Sequence, residues 1–152
     1  MEKQALLSSR IISGILVSIQ FICLLFLVVS IDFLELSLPG IVLFSTAFLL
    51  ALWSVYVMRK SRWHIMPEPT KNAVLVTKGP YHWIRHPMYL SILIFISAVM
   101  STSITVITFL VSLLLLVVLI LKIDREELFL KQKFNDYDNY ARNSKKLIPF
   151  LY

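Results

Sequence analysis

The sequence predicts an all-α integral membrane protein with four transmembrane helices, the third and fourth forming a hairpin, and a C-terminal amphipathic helix on the cytoplasmic side. Three observations predict it: an excess of apolar residues, charge-free runs of bilayer length, and basic residues confined to three segments. Of the 152 residues, 58% are hydrophobic. A soluble domain runs nearer 45–50% and has no place to hide the surplus.

The elements follow in order. Residues 11–31 make a charge-free apolar run, about 31 Å long as a helix and enough to cross a hydrocarbon core of about 30 Å. Lys3 and Arg10 precede it, as in a signal peptide. The run exceeds the roughly 7–15-residue core of such a peptide, however, and no small-x-small cleavage site follows, so a retained span is expected. Asp32 and Glu35 interrupt, residues 38–58 form the second span, and Arg59, Lys60 and Arg62 stop it. Between Trp63 and Arg85 the chain is polar and mixed, and Pro67, Pro69 and Gly79-Pro80 break any long helix.

From Met88 to Ile123 the only charge is Lys122. One straight helix over that stretch would be about 54 Å long, too long for one crossing, so it must break. The polar triplet Ser101-Thr102-Ser103 is the best place, leaving a short third span at 88–100 and a full fourth at 104–123. Charge placement supports the break. Two of the 15 Lys and Arg precede the first span, six lie between Arg59 and Arg85, and seven lie from Lys122 onward. With four spans all three segments share one face, which the excess of Lys and Arg in cytoplasmic loops marks as cytoplasmic together with both termini. The net charge of +6 is then a matter of topology and anionic headgroups, with no nucleic-acid partner expected. From Asp124 to Tyr152, Leu130, Phe134, Tyr137 and Ala141 recur at helical spacing among Lys131, Lys133, Asp138 and Arg142. That pattern predicts an amphipathic helix continuing from the last span. The whole of 1–152 reads as one membrane domain.

Several function classes drop out. Three glycines, at 14, 40 and 79, cannot supply a glycine-rich phosphate loop or a dinucleotide fingerprint. The single cysteine, Cys23, lies inside an apolar run and is expected to pack there. The spans lack Asp, Glu, His and Arg, which argues against ion or proton transport.

Two rim clusters remain. The first runs from Gly79 to Tyr89 as Gly-Pro-Tyr-His-Trp-Ile-Arg-His-Pro-Met-Tyr. Pro87 suits the first turn of a helix, whose N-terminal N–H groups attract a carboxylate at headgroup level. Arg85 and His86 add donors, and Tyr81, Trp83 and Tyr89 add π-faces for an adenine or a cation. Composition alone favours an interfacial aromatic and basic belt. His82 and His86 stand i, i+4, but no third ligand accompanies them and the prolines oppose a continuous helix, so no metal is expected. His64 has no nameable partner. The second cluster is Lys122-Ile123-Asp124-Arg125-Glu126-Glu127, which reads either as a solvated stop-transfer run or as a site where a carboxylate receives an ammonium or sulfonium group.

Those clusters, in that order, resemble the isoprenylcysteine carboxyl methyltransferase family and the related phospholipid methyltransferases. The matching text runs from Val74-Leu75-Val76-Thr77-Lys78-Gly79-Pro80-Tyr81 through Arg85-His86-Pro87-Met88-Tyr89. It resumes at Arg125-Glu126-Glu127 and continues through Phe134-Asn135-Asp136-Tyr137 to Tyr140. It covers about half the chain, and the first two spans match only as hydrophobic helices. The resemblance implies S-adenosylmethionine binding over 74–152, with Leu75, Val76 and Tyr81 on the adenine side. His86, Pro87, Met88 and Tyr89 would hold the cofactor, with Glu127 at its amino-acid end. Glu126, Arg125 and Lys122 are the expected catalytic group, and either glutamate is a candidate for the cofactor contact. The implied acceptor is a lipophilic small molecule, a prenylated group or a membrane lipid. Ser91 stands where a Gly often follows the Tyr by two, and Asn135 where Phe-Gly is usual.

Overall fold

Segments this apolar become helices because every backbone polar group must be satisfied within the segment once water is excluded. The computed structural model describes residues 2–32, 36–59, 74–102 and 104–148. Among them are the helices α1 (Glu2–Val29), α2 (Leu38–Met58), α3 (Pro87–Thr102), α4 (Val106–Lys133) and α5 (Tyr137–Asn143), with a 3₁₀ turn at Gly79–His82. Among the described residues no β-strand is present beyond one isolated bridge.

Local chemistry places the helix ends. Ser37 caps α2 through its Oγ, which accepts the Gly40 N–H, and Pro39 occupies the first turn. Thr105 caps α4 in a reciprocal box, each threonine hydroxyl bonding the other's backbone N–H. The expected break between the third and fourth spans thus falls after Thr102 and before Val106. At the start of α2 a Cβ on Gly40 would lie 2.9 Å from Thr102 Cγ2, so this glycine permits the close approach of α2 and α3. Gly79 (φ 61°) takes the left-handed backbone that turns the chain into the 3₁₀ segment.

α2 packs mainly on α3, and α1 on α4. The α1–α4 seam has 3-4 spacing on both helices: Ser13, Leu16, Gln20, Cys23 and Leu27 are buried on α1, and Thr108, Ser112, Leu115, Leu119 and Lys122 on α4. Cys23, Leu27, Ile31, Val99, Leu115 and Leu119 make the apolar core. They lie towards the α1 C-terminus and the α3–α4 connection, which leaves the other end for polar groups. Phe21, Ile22, Leu25, Phe48, Leu52, Ile107 and Leu110, among many others, stay exposed. So much exposed apolar surface suits a lipid environment.

Among the described residues three helices are long and apolar enough to cross a membrane, at Ser8–Val29, Leu38–Met58 and Val106–Lys133. α3 has 16 residues, about 24 Å, and is shorter than an ordinary span. α4 has 28 residues, about 42 Å. Its apolar part ends near Ile123 and its last ten residues project beyond. The expectation of one amphipathic helix through the tail needs correction. α4 stops at Lys133, Phe134 adopts an extended C-cap, and the separate α5 follows. The tail then folds back, with Ile84 and Lys145 forming a parallel bridge. This return buries Tyr137 fully, while Leu130, Phe134 and Ala141 stay half-buried. Residues 60–73, with His64, and 149–152 lie outside the described residues.

Candidate active site

The extended residues before α3 and the end of α4 are drawn together by hydrogen bonds from the returning tail. Arg85 N–H donates to Lys145 O (2.8 Å), His86 N–H to Lys146 O (3.2 Å), and Lys145 N–H to Trp83 O (2.9 Å). The Arg85 guanidinium closes the same junction, with Nη1 donating to Ala141 O (2.9 Å) and Ser144 O (2.6 Å). The Tyr140 hydroxyl donates to Tyr81 O at 2.6 Å. Lys146 pairs with Asp124 on α4 at 2.7 Å.

This clamp brings together residues some forty positions apart. Glu127 Oε1 accepts from Arg85 Nε (2.8 Å) and lies 3.0 Å from His86 Nε2. The other ring nitrogen, His86 Nδ1, is 3.6 Å from Glu126 Oε2. The His86 ring is buried and stacks on Tyr89 with centroids 5.6 Å apart. Burial alone would lower the His86 pKa, but Glu126 and Glu127 outweigh it and hold the imidazole above its ordinary value. Burial and then Glu126 push the Tyr81 hydroxyl well up, and burial pushes Tyr140 up to about 12, so both phenols stay neutral donors.

Beside this network lies a cavity of about 240 Å³, at the junction of the α1–α4 and α2–α3 pairs. Tyr81, Arg85, His86, Met88, Tyr89 and Ser91 line it from the α3 side. Lys122 and Glu126 line it from α4, Gln20 and Phe21 from α1, and Ala51 and Met58 from α2. Two buried polar atoms on its lining residues, the Tyr81 hydroxyl and Glu126 Oε2, make no hydrogen bond among the described residues. Orphaned polar atoms of this kind fit a missing ligand. An acceptor-only carboxylate oxygen beside π-faces is suited to a cation such as an ammonium or sulfonium.

Of the residues singled out in the sequence, Tyr81, His86, Met88, Tyr89, Lys122 and Glu126 meet at the cavity, and Glu127 stands behind His86. Pro87 is buried at the start of α3. Leu75 and Val76 sit in the extended stretch before the 3₁₀ turn and do not line the cavity. Arg125 turns away: its Nη2 donates to Ser9 Oγ (2.8 Å) and Ser9 O (3.1 Å) on α1. Among the described residues no group of His, Cys, Asp or Glu has metal-holding geometry. Gln20 is the lining residue least visible in the sequence. Its signal is an amide on the same 3-4 stripe as Leu16, Cys23 and Leu27, which turns it inward.

Comparison with known proteins gives one match. The phospholipid methyltransferase family, which includes the isoprenylcysteine carboxyl methyltransferases, matches over residues 36–137. No curated protein and no solved structure matches the chain. The matched stretch holds α2, α3, α4, the Arg-His-Pro-x-Tyr element and the Glu pair, and leaves out α1. Covering about two thirds of the 152 residues, it identifies the chain as a member of the phospholipid methyltransferase family.

Proposed function

We propose that the protein is an S-adenosylmethionine-dependent methyltransferase that O-methylates a carboxylate on a prenylcysteine-like or other lipophilic acceptor. Convergence of the Arg-His-Pro-x-Tyr element and Glu126 on one cavity, with Glu127 behind His86, carries this reading. The chain crosses the bilayer four times, α3 being the short third crossing, with both termini and the cavity mouth on the cytoplasmic face. A water-soluble cofactor then arrives from the cytoplasm and a lipophilic acceptor from the bilayer.

When bound, S-adenosylmethionine supplies a methyl group made electrophilic by its sulfonium. Glu126 and the faces of Tyr81 and Tyr89 would receive its positive groups, while His86 and Met88 shape the pocket. Glu127 holds His86 in place and Arg85 locks the tail over both. The cofactor's chemistry would leave a neutral thioether, the electron pair of the C–S bond staying on sulfur as the methyl passes to the acceptor oxygen. A carboxylate is already ionised at neutral pH, so no side chain has to remove a proton, and Lys122 has only to orient it. Positioning two reactants away from water supplies much of the barrier reduction, and Phe21, Ala51, Met58 and Ile92 furnish the apolar wall.

The family match favours a second reading, N-methylation of a phospholipid amine. There the ammonium must lose a proton first, with Glu126 as the nearest base. The pH–rate profile at saturating cofactor separates the two. Carboxyl transfer gives a flat profile between about pH 6 and 8.5, with prenylcysteine analogues preferred over phosphatidylethanolamine. A steep rise over that range with phosphatidylethanolamine preferred overturns the carboxyl reading. A third reading, a non-enzymatic membrane subunit, predicts no transfer to either.

A further inference from the structure

The least expected charge in the molecule is the Lys122 ammonium. A lysine one residue from the end of an apolar span ordinarily snorkels outward to water. Lys122 does the reverse. Its side chain is buried, with 3% relative exposure for the residue, and Nζ donates to Gln20 Oε1 at 2.5 Å. Gln20 lies nine residues into the apolar run that opens at Ile11, about 14 Å along α1. The ammonium therefore points away from the rim and towards the interior, above the Tyr89 ring at 5.4 Å.

Burying an ammonium costs several kcal/mol unless it is paired. Among the described residues Lys122 forms no ion pair, and a neutral amide oxygen takes only one of its three donors. Glu127 faces Arg85 and His86, while Glu126, one turn along α4, faces His86 and also attracts Lys122, so two carboxylates serve three cationic groups. The cavity is thus left with one surplus positive charge, and Lys122 is the cation without an ion pair.

We propose that Gln20 and Lys122 form a subsite for the anionic group of an amphiphile, a carboxylate or a phosphate, at the membrane-buried end of the cavity. Gln20 is the positioning residue: it belongs to α1, outside the family match, and holds the ammonium inward where an anion on a lipid can reach it. The inference rests on the cavity being the acceptor site, and it restricts acceptors to those carrying a negative charge near the reacting atom. For O-methylation that charge is the reacting carboxylate itself. For a phospholipid amine it is the neighbouring phosphate.

Calorimetric titration of the protein in a neutral detergent with laurate, dodecyl phosphate and dodecanol tests this without a known acceptor. The wild type is expected to bind at least one anion more tightly than dodecanol. Laurate alone identifies a carboxylate subsite and dodecyl phosphate alone a phosphate subsite. Gln20→Glu is the decisive variant, because it supplies Lys122 with a permanent internal anion at nearly unchanged size. It should weaken anion binding about 10- to 100-fold, as should Lys122→Met, while its melting temperature does not fall. Lys122→Arg should retain anion binding. Equal wild-type affinity for anions and dodecanol overturns the proposal, as does unchanged anion affinity in Gln20→Glu. A parallel titration with S-adenosylmethionine keeps the two readings separable. If Gln20→Glu weakens the cofactor as well, the anion held here is the cofactor's carboxylate and the proposal fails. If the wild type binds the anion but no cofactor, the methyltransferase reading fails and the anion subsite stands.

Discussion

Glu127→Gln tests the clamp around the cavity. In the native protein one carboxylate oxygen serves both Arg85 Nε and His86 Nε2, at 2.8 and 3.0 Å, with Arg85 and Glu127 side chains 12% exposed and His86 3%. Removing one partner of a fully buried ion pair costs about 3–5 kcal/mol. Here Arg85 keeps the Ala141 and Ser144 carbonyls, and His86 can shed its proton, so the expected loss is about 2–3 kcal/mol. The pH dependence follows from His86. Its native pKa is raised, so its contribution is complete below the unfolded value of about 6.5 and is lost as pH rises through the higher native value. The thermal stability of the wild type in detergent should therefore fall across that window, and that fall should be smaller in Glu127→Gln. Other groups titrate alike in both proteins and cancel in the comparison. Hydrogen exchange should also quicken at the Lys145 amide, which the tail bridge protects. Equal melting temperatures and parallel pH profiles for the two proteins would refute the argument.

Three further outcomes are expected. Tyr140→Phe removes the 2.6 Å bond to Tyr81 O and should cost about 1 kcal/mol, read as a lower melting temperature and faster proteolysis of the tail. Gly40→Ala places a methyl 2.9 Å from Thr102 Cγ2 and should destabilise by about 1–3 kcal/mol, whereas Gly14→Ala, with open space around its added Cβ, should not. Cysteine probes at Ser37 and Thr102 should label from the face opposite to probes in 59–86, and labelling of Thr102 and 59–86 from one side would remove the fourth crossing.

Much of this arrangement is legible in the sequence, because lipid imposes a strong pattern. The apolar run 38–58 coincides with α2, and the break near Ser101-Thr102-Ser103 follows from a length no single crossing accommodates. The tail resisted reading. Tyr137 and Ala141 have helical spacing, but Phe134 ends α4 and Arg85, more than fifty residues distant in sequence from Ala141 and Ser144, ties the tail to α3. Long-range clamps of this sort leave no periodic trace. His86 looked like a rim residue and is instead buried against two carboxylates, so its removal should unsettle the fold as well as any ligand. Arg125, adjacent to the Glu pair in sequence, faces Ser9 because successive helical residues point about 100° apart. Lys122 read as the charge that ends a span, and the 3-4 seam shared with Leu115 and Leu119 shows why it turns inward.

In the proposed function S-adenosylmethionine occupies the cavity between Tyr81, His86 and Glu126. Calorimetric titration of detergent-purified wild type and Glu126→Gln with the cofactor decides whether it does. The wild type should give saturable heat. Glu126→Gln should keep its fold while binding about 10- to 150-fold more weakly, the effect of losing a hydrogen-bonding partner for a charged group. Absence of both heat and thermal shift in the wild type at millimolar cofactor, or identical affinity in Glu126→Gln, would contradict the account.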